Sequence, residues 1–450
     1  MADNIPLNEG VGGKTLRSKD IGGVQTQFNA LELVHGSTSQ GTVSYSNPMP
    51  ITGVGAMVDA FGRFRTSNAV NLLNPQFTYN LRPLTYEQVT SGTGASIAHD
   101  ATNRCALMTF SSTPTGGKAY MQSYEFFPYQ AGNSHLIFVT FNMIEGVANV
   151  LKFAGYGEYQ TNGVFFELNG TARQFTLYSN TDLGDTTVPQ ASWNLDPLDG
   201  TGPSGYTFDE TKVQIVVIDL QALYVGRVRI GFDIDGDVIY CHEFLHANNI
   251  DVPYIQIASL PVLCGMTCSG TVSTTMRFVC AGVKSEGGED DQAGSPMCIE
   301  ATGTAGNSTR AHILSVRPKT TFGGFTNRSK FVLESVDVLV TGNQNVLVEL
   351  AIGQAISGAT TFSDVNATYS SMEYNSAGTI SGSPAIVAGA QYVVSSNTAK
   401  GAVSRSFATR YPITLDAAGA ARSLGTLSVL GTGLGGTSAM RVVLGWREIR

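Results

Sequence analysis

The chain has 450 residues, of which 14% are charged and 42% hydrophobic, with 51 glycines and a formal net charge of -8. An acidic chain of low charge lacks the clustered basic surface that phosphate backbones require, which excludes nucleic acid as a main partner. No apolar run reaches the roughly 18 residues that cross a bilayer, and MADNIPLNEG has neither the basic nor the apolar part of a secretory signal, so the expectation is a chain made in a cytoplasm with no membrane span.

Residues 1–50 are rich in Gly, Ser, Asn and Thr, lack a helical period, and end in Ser46-Asn47-Pro48-Met49-Pro50, whose prolines favour extended backbone. They read as an extended N-terminal docking arm. The next segment, VDAFGRFRTSN (58–68), concentrates charge and aromatics around one glycine. In an extended conformation Asp59, Phe61, Arg63 and Arg65 share one side, and this face is expected to be the first strand's contact with another strand or subunit, arginine forks pairing carboxylates or carbonyls. Solvated surface charge is the alternative reading.

From 51 to 288 strand-length apolar runs bounded by Gly, Asn and Asp dominate, among them HLIFVTFNM (135–143), GVFFEL (163–168), QFTLY (174–178) and KVQIVVIDL (212–220). In GRVRIGFDIDGDVIYCHEF (226–244), Asp235-Gly236 separates two alternating segments and predicts a hairpin with a two-residue, positive-φ turn. The polar, acidic stretch AGVKSEGGEDDQAGSP (281–296) marks a boundary, after which KFVLESVDVLV (330–340), NVLVELAI (345–352) and AMRVVLGWREI (439–449) again read as strands. The fold class expected is all-β: an arm (1–50), a jelly-roll-like antiparallel β-sandwich (51–288) and a second C-terminal β domain (289–450).

Candidate chemistry is sparse. In DIDGD, Asp233, Asp235 and Asp237 open like a calcium loop, but the glycine falls at the fourth position and no glutamate at the twelfth, which leaves an Asp-Gly turn. Cys241, His242 and His246 point to different faces of a strand, and Cys264 and Cys268 have a looser spacing than a paired zinc motif, so core cysteines and satisfied histidines are expected and no metal. The six cysteines, which also include Cys105, Cys280 and Cys298, are too few and too irregular for a disulfide framework. No GxSxG, HExxH, Walker or GxGxxG motif occurs, and Asp209, Glu210 and Glu243 are not singled out as a carboxylate pair, so no catalytic or cofactor-binding residue is assigned. The aromatic run Tyr120, Tyr124, Phe126, Phe127 and Tyr129 suits either a core or a sugar-stacking platform.

Several words in the chain resemble tailed-bacteriophage virion structural proteins: ADNIPLNEGVGG, DIGGVQTQ and SNPMPI in the arm, then VDAFGRFRTSN, FPYQAGNSHL, SWNLDPLDGTGPSG, CHEFLHAN and VKSEGG. They span most of residues 1–290. The resemblance implies a β-sandwich in an assembled particle, located in the virion, with other virion proteins and copies of itself as partners. The resulting expectation is a non-enzymatic structural component of the tail, tail-fibre base or neck. The alternatives are a capsid decoration protein or a glycan-binding host-attachment module whose partner is a host surface glycan.

Overall fold

A computed structural model describes residues 69–450 apart from 222, 258, 289–293 and 407–410, together with Asp59 and five short strands between residues 4 and 42. The chain divides into two units, Met1–Val54 and Gly55–Arg450. In the first, Asn4–Pro6, Thr15–Ile21 and Val24–Gln27 form an antiparallel sheet, and Glu32–His35 pairs with Thr38–Thr42. The expected arm therefore contains hairpins of its own.

The second unit is all-β, with no α-helix among the described residues. Its N-terminal part is a sandwich of two antiparallel sheets. The front sheet runs Thr186–Pro189, Ala172–Tyr178, Asn162–Asn169, Val150–Glu158, Val262–Cys268, Lys118–Ser123, Tyr86–Ser91. The back sheet runs Asp237–Phe244, Val228–Ile234, Gln214–Gln221, Ser134–Asn142, Val272–Glu286, Cys105–Thr113, Ala95–Asp100, with Val70–Leu73 also paired to Val272–Glu286. Alternation along each strand sends one set of side chains into the shared core. Phe141 and Phe232 of the back sheet meet Phe166 of the front sheet with ring centroids 5.8 and 5.1 Å away. All three are fully buried, each contributing roughly 2–3 kcal/mol by removal from water.

Turn chemistry follows the sequence. Asp235 and Gly236 take φ of +55° and +93° at the hairpin between Val228–Ile234 and Asp237–Phe244, as a two-residue turn between twisted strands demands.

The C-terminal part has its own core around Trp446, Phe331, Val442 and Leu444. One layer contains Ser295–Asn307, Ser438–Ile449, Lys330–Val340 and Gly401–Ser406, and the other Met372–Asn375, Ala311–Pro318, Leu427–Gly433, Val346–Ile352 and Ile386–Val393. Arginine contacts join this part to the sandwich: Arg422 lies 3.8 Å over Tyr124 and Arg328 4.4 Å over Phe126. The Ala417 amide donates to Glu87 at 2.7 Å, and burial is the first cause that raises the Glu87 carboxyl above its ordinary range.

Candidate functional site

A cleft of about 580 Å³ opens where one end of the sandwich meets the C-terminal part. Its floor comes from the turn between Val150–Glu158 and Asn162–Asn169, which supplies Glu158, Thr161 and Asn162. Asn180 follows the Ala172–Tyr178 strand, and Gln256 and Ile257 belong to the loop after Asp237–Phe244. The opposite wall is Gly324, Phe325, Thr326 and Arg328.

Hydrogen bonds fix the amide wall. Asn180 Nδ2 donates to Gln256 Oε1 at 2.7 Å, and the Gln256 backbone N–H donates to Asn162 Oδ1 at 3.0 Å. Asn162 is buried, while Asn180 and Gln256 are exposed, so their remaining donors and acceptors face solvent. Thr181 holds the same loops together, its hydroxyl donating to Pro253 O at 2.8 Å.

The facing wall is made by TFGGFT. Thr321–Phe322 pairs with Phe325–Thr326 across Gly323 and Gly324, at φ of +60° and +88°, the left-handed pair that a tight hairpin needs and that glycine adopts without strain. The turn holds Phe325 out at 65% exposure. Arg328 anchors the strand start below it: it pairs with Glu158 Oε1 at 2.7 Å and donates to Asp416 O at 2.7 Å and Ala417 O at 3.0 Å. Among the described lining residues the one carboxylate is thus neutralised by the one guanidinium, leaving amides, the Thr161 and Thr326 hydroxyls, Ile257 and an aromatic ring as the available contacts.

A second polar cluster lies on the outer face of the front sheet. The buried Glu167 carboxylate accepts from Thr176 Oγ1 (2.6 Å), Tyr178 Oη (2.6 Å) and Gln174 Nε2 (2.8 Å). Burial first, and the Glu167 charge second, push the Tyr178 phenol strongly upward, so it stays a proton donor. With three donors on it, Glu167 ties two adjacent strands together.

The residues singled out from sequence fall elsewhere. Asp59 is buried at 4% exposure and is not in a strand, whereas Phe61, Arg63 and Arg65 lie outside the described residues. Cys241, Cys264 and Cys268 are buried in the sandwich core. His242 accepts the Asn194 amide at 3.2 Å, and His246 bonds Gly226 O at 2.7 Å and stacks on Tyr254 at 4.0 Å. Among the described residues no group of three metal-ligating side chains occurs. Of the Tyr120–Tyr129 run, Phe126, Phe127 and Tyr129 are buried, Tyr124 lies under Arg422, and Tyr120 is half-buried beside Phe153 and Tyr159. The cleft residues went unnoticed because they come from four separate loops.

No family model and no curated protein matches this chain. Among solved structures it is similar to a Bacillus licheniformis β-glucanase (13% identity, TM-score 0.30, covering 48% of this chain and 98% of that one). It is also similar to a Crh5 transglycosylase in complex with NAG (14%, 0.31, 50% and 89%) and a glycoside hydrolase family 16 endo-glucanase from Bacteroides ovatus (8%, 0.32, 47% and 99%). The expectations of a non-enzymatic virion structural component and of a chain that is not an enzyme find no support among these neighbours, which are enzymes of glycans. At TM-scores near 0.3 the likeness assigns this chain neither a substrate nor a reaction.

Proposed function

We propose that Gly55–Arg450 is a glycan-binding module whose ligand, a neutral polysaccharide of a host cell surface, lies in the cleft beneath Phe325. The observation that carries this reading is the pairing of an exposed aromatic ring with an amide-lined wall. Sugar rings present an apolar C–H face, which stacks on an aromatic side chain, and a rim of hydroxyls, which pair with planar amides that donate and accept at once. The cleft's volume of about 580 Å³ falls within the ordinary range for ligand sites. Because Glu158 and Arg328 neutralise each other, the lining offers no net charge to select an acidic polymer. The resemblance to phage virion proteins supplies the setting in which a host glycan would be met.

Affinity electrophoresis against neutral and acidic polysaccharides tests the proposal. Retardation by a neutral polymer is expected, with Phe325→Ala and Gln256→Ala each weakening it about tenfold, roughly 1.4 kcal/mol. Retardation by none of them, or variants that bind like the parent chain, would overturn it. Polymer length is followed in the same incubation, and shortening would assign a reaction to the bound glycan.

A further inference from the structure

Leu223 and Tyr224, in the loop between Gln214–Gln221 and Val228–Ile234, take φ of +137° and +62°. A bulky side chain rarely adopts either value, so the surrounding structure must hold the backbone there. One buried phenol does so from below: Tyr129 Oη accepts the backbone N–H groups of both residues, each at 2.8 Å. From the side, the Tyr254 backbone N–H donates to Tyr224 O at 3.0 Å. The result is a fixed loop tip on which the Leu223 and Tyr224 side chains stand 47% and 37% exposed. Backbone strain kept at an exposed tip marks a surface that meets a ligand.

The tip leads into the cleft. Tyr254 is two residues from Gln256, at most about 7 Å of extended chain, and Gln256 lines the cleft wall. Thr181 and Asn180 tie the same segment to the cleft side, through Pro253 O and Gln256 Oε1. One continuous loop therefore runs from the hydrogen bond beside Tyr224 to the amides that face Phe325. Its exposed residues on the way, Pro253 and Gln256, carry no charge.

We propose that Tyr224 is a second stacking position for the glycan assigned to the cleft. The ligand is then a chain long enough to leave the cleft past Gln256 and cross the sandwich tip, not a single sugar or a chain end. This rests on the glycan reading of the cleft. The Tyr224 ring offers the apolar face on which the C–H face of a sugar stacks. Because its backbone is already fixed, the ring loses little freedom on stacking, which is what lets one side chain add affinity. A protein partner would use the apolar tip without regard to the cleft, whereas the loop that joins the tip to the amide wall favours one polymer touching both.

Calorimetric titration with oligosaccharides of increasing length, cut from a neutral polysaccharide that the parent chain retains, tests this. Parent affinity is expected to keep rising beyond the length that fills the cleft. Tyr224→Ala removes that rise, about tenfold for the longest chains, and binds short ones like the parent, while Phe325→Ala weakens every length. A Tyr224→Ala chain that matches the parent at every length, with Phe325→Ala still weakened, overturns this inference and leaves the cleft reading standing. Loss at every length overturns it too, because the ring then acts only through the shape of the cleft. A parent chain that retains no polysaccharide removes the cleft reading and this one with it. If Tyr224→Ala fails to fold, nitration of the unsubstituted chain decides: long oligosaccharides slow modification of Tyr224 and short ones do not, and equal rates with and without the long ones refute the second position.

Discussion

Lys152 occupies an inward position of the Val150–Glu158 strand and is 1% exposed, a placement that strand alternation alone would reject. Three carbonyls resolve it: Nζ donates to Met143 O at 2.6 Å, Glu145 O at 2.9 Å and Thr275 O at 2.9 Å, using every donor of the ammonium. Burial lowers its pKa to about 8, so the charge persists at neutral pH. Lys152→Met keeps the side chain's length but leaves three carbonyls without a donor, and should cost about 3 kcal/mol. A lower denaturant midpoint at an unchanged slope would show it; an unshifted midpoint would mean that water replaces the ammonium. Nothing in the sequence marks this role, because residues 143, 145 and 275 acquire it only when the sheets close.

The elements differ in how much of them could be read in advance. The Asp235-Gly236 hairpin was legible because pattern, turn and pairing all lie within one short stretch. The cleft was not, since Asn162, Asn180, Gln256 and Phe325 meet only through the stacking of separate loops, and the run Tyr120–Tyr129 that drew attention went mostly to the core. The Gly323-Gly324 turn is the element that shapes the cleft wall, and open space surrounds both glycines, so an added Cβ clashes with nothing. Gly324→Ala then acts through backbone conformation alone, costing about 1–2 kcal/mol within a hairpin that has little packing of its own. Weakened polysaccharide retention with an unchanged melting temperature is expected. Full retention would show that the ring's position does not depend on the turn.

At the scale of the whole molecule, alternating apolar runs and glycine turns made the all-β class readable, whereas the words that resemble virion proteins carry no geometry and put a structural role ahead of a glycan-binding one. The polar bonds crossing the sandwich were equally hidden, and they set its response to acid. His135 of the back sheet meets Tyr156 of the front sheet, Nδ1 to Oη at 3.3 Å, while Tyr156 donates onward to Phe127 O at 3.1 Å, so the imidazole is the donor to the phenol oxygen. His242 must keep Nδ1 unprotonated to accept the Asn194 amide. Burial lowers both pKa values to about 4, and lowers those of His246 and His312 as well. The unfolded chain titrates these histidines near 6.5 and so binds more protons than the fold between that pH and 4. Their contribution is complete above pH 6.5 and is lost as pH falls through the folded values, by about 3 kcal/mol for the fully buried His135 and by less for His242, which solvent screens in part. Carboxylates titrate mainly below about pH 5, which isolates the histidines in the upper half of the window. Melting temperature should therefore decline between pH 6.5 and about 5, and His135→Gln should make that decline shallower. A flat profile over this interval would show that the histidines remain accessible to protons in the folded chain.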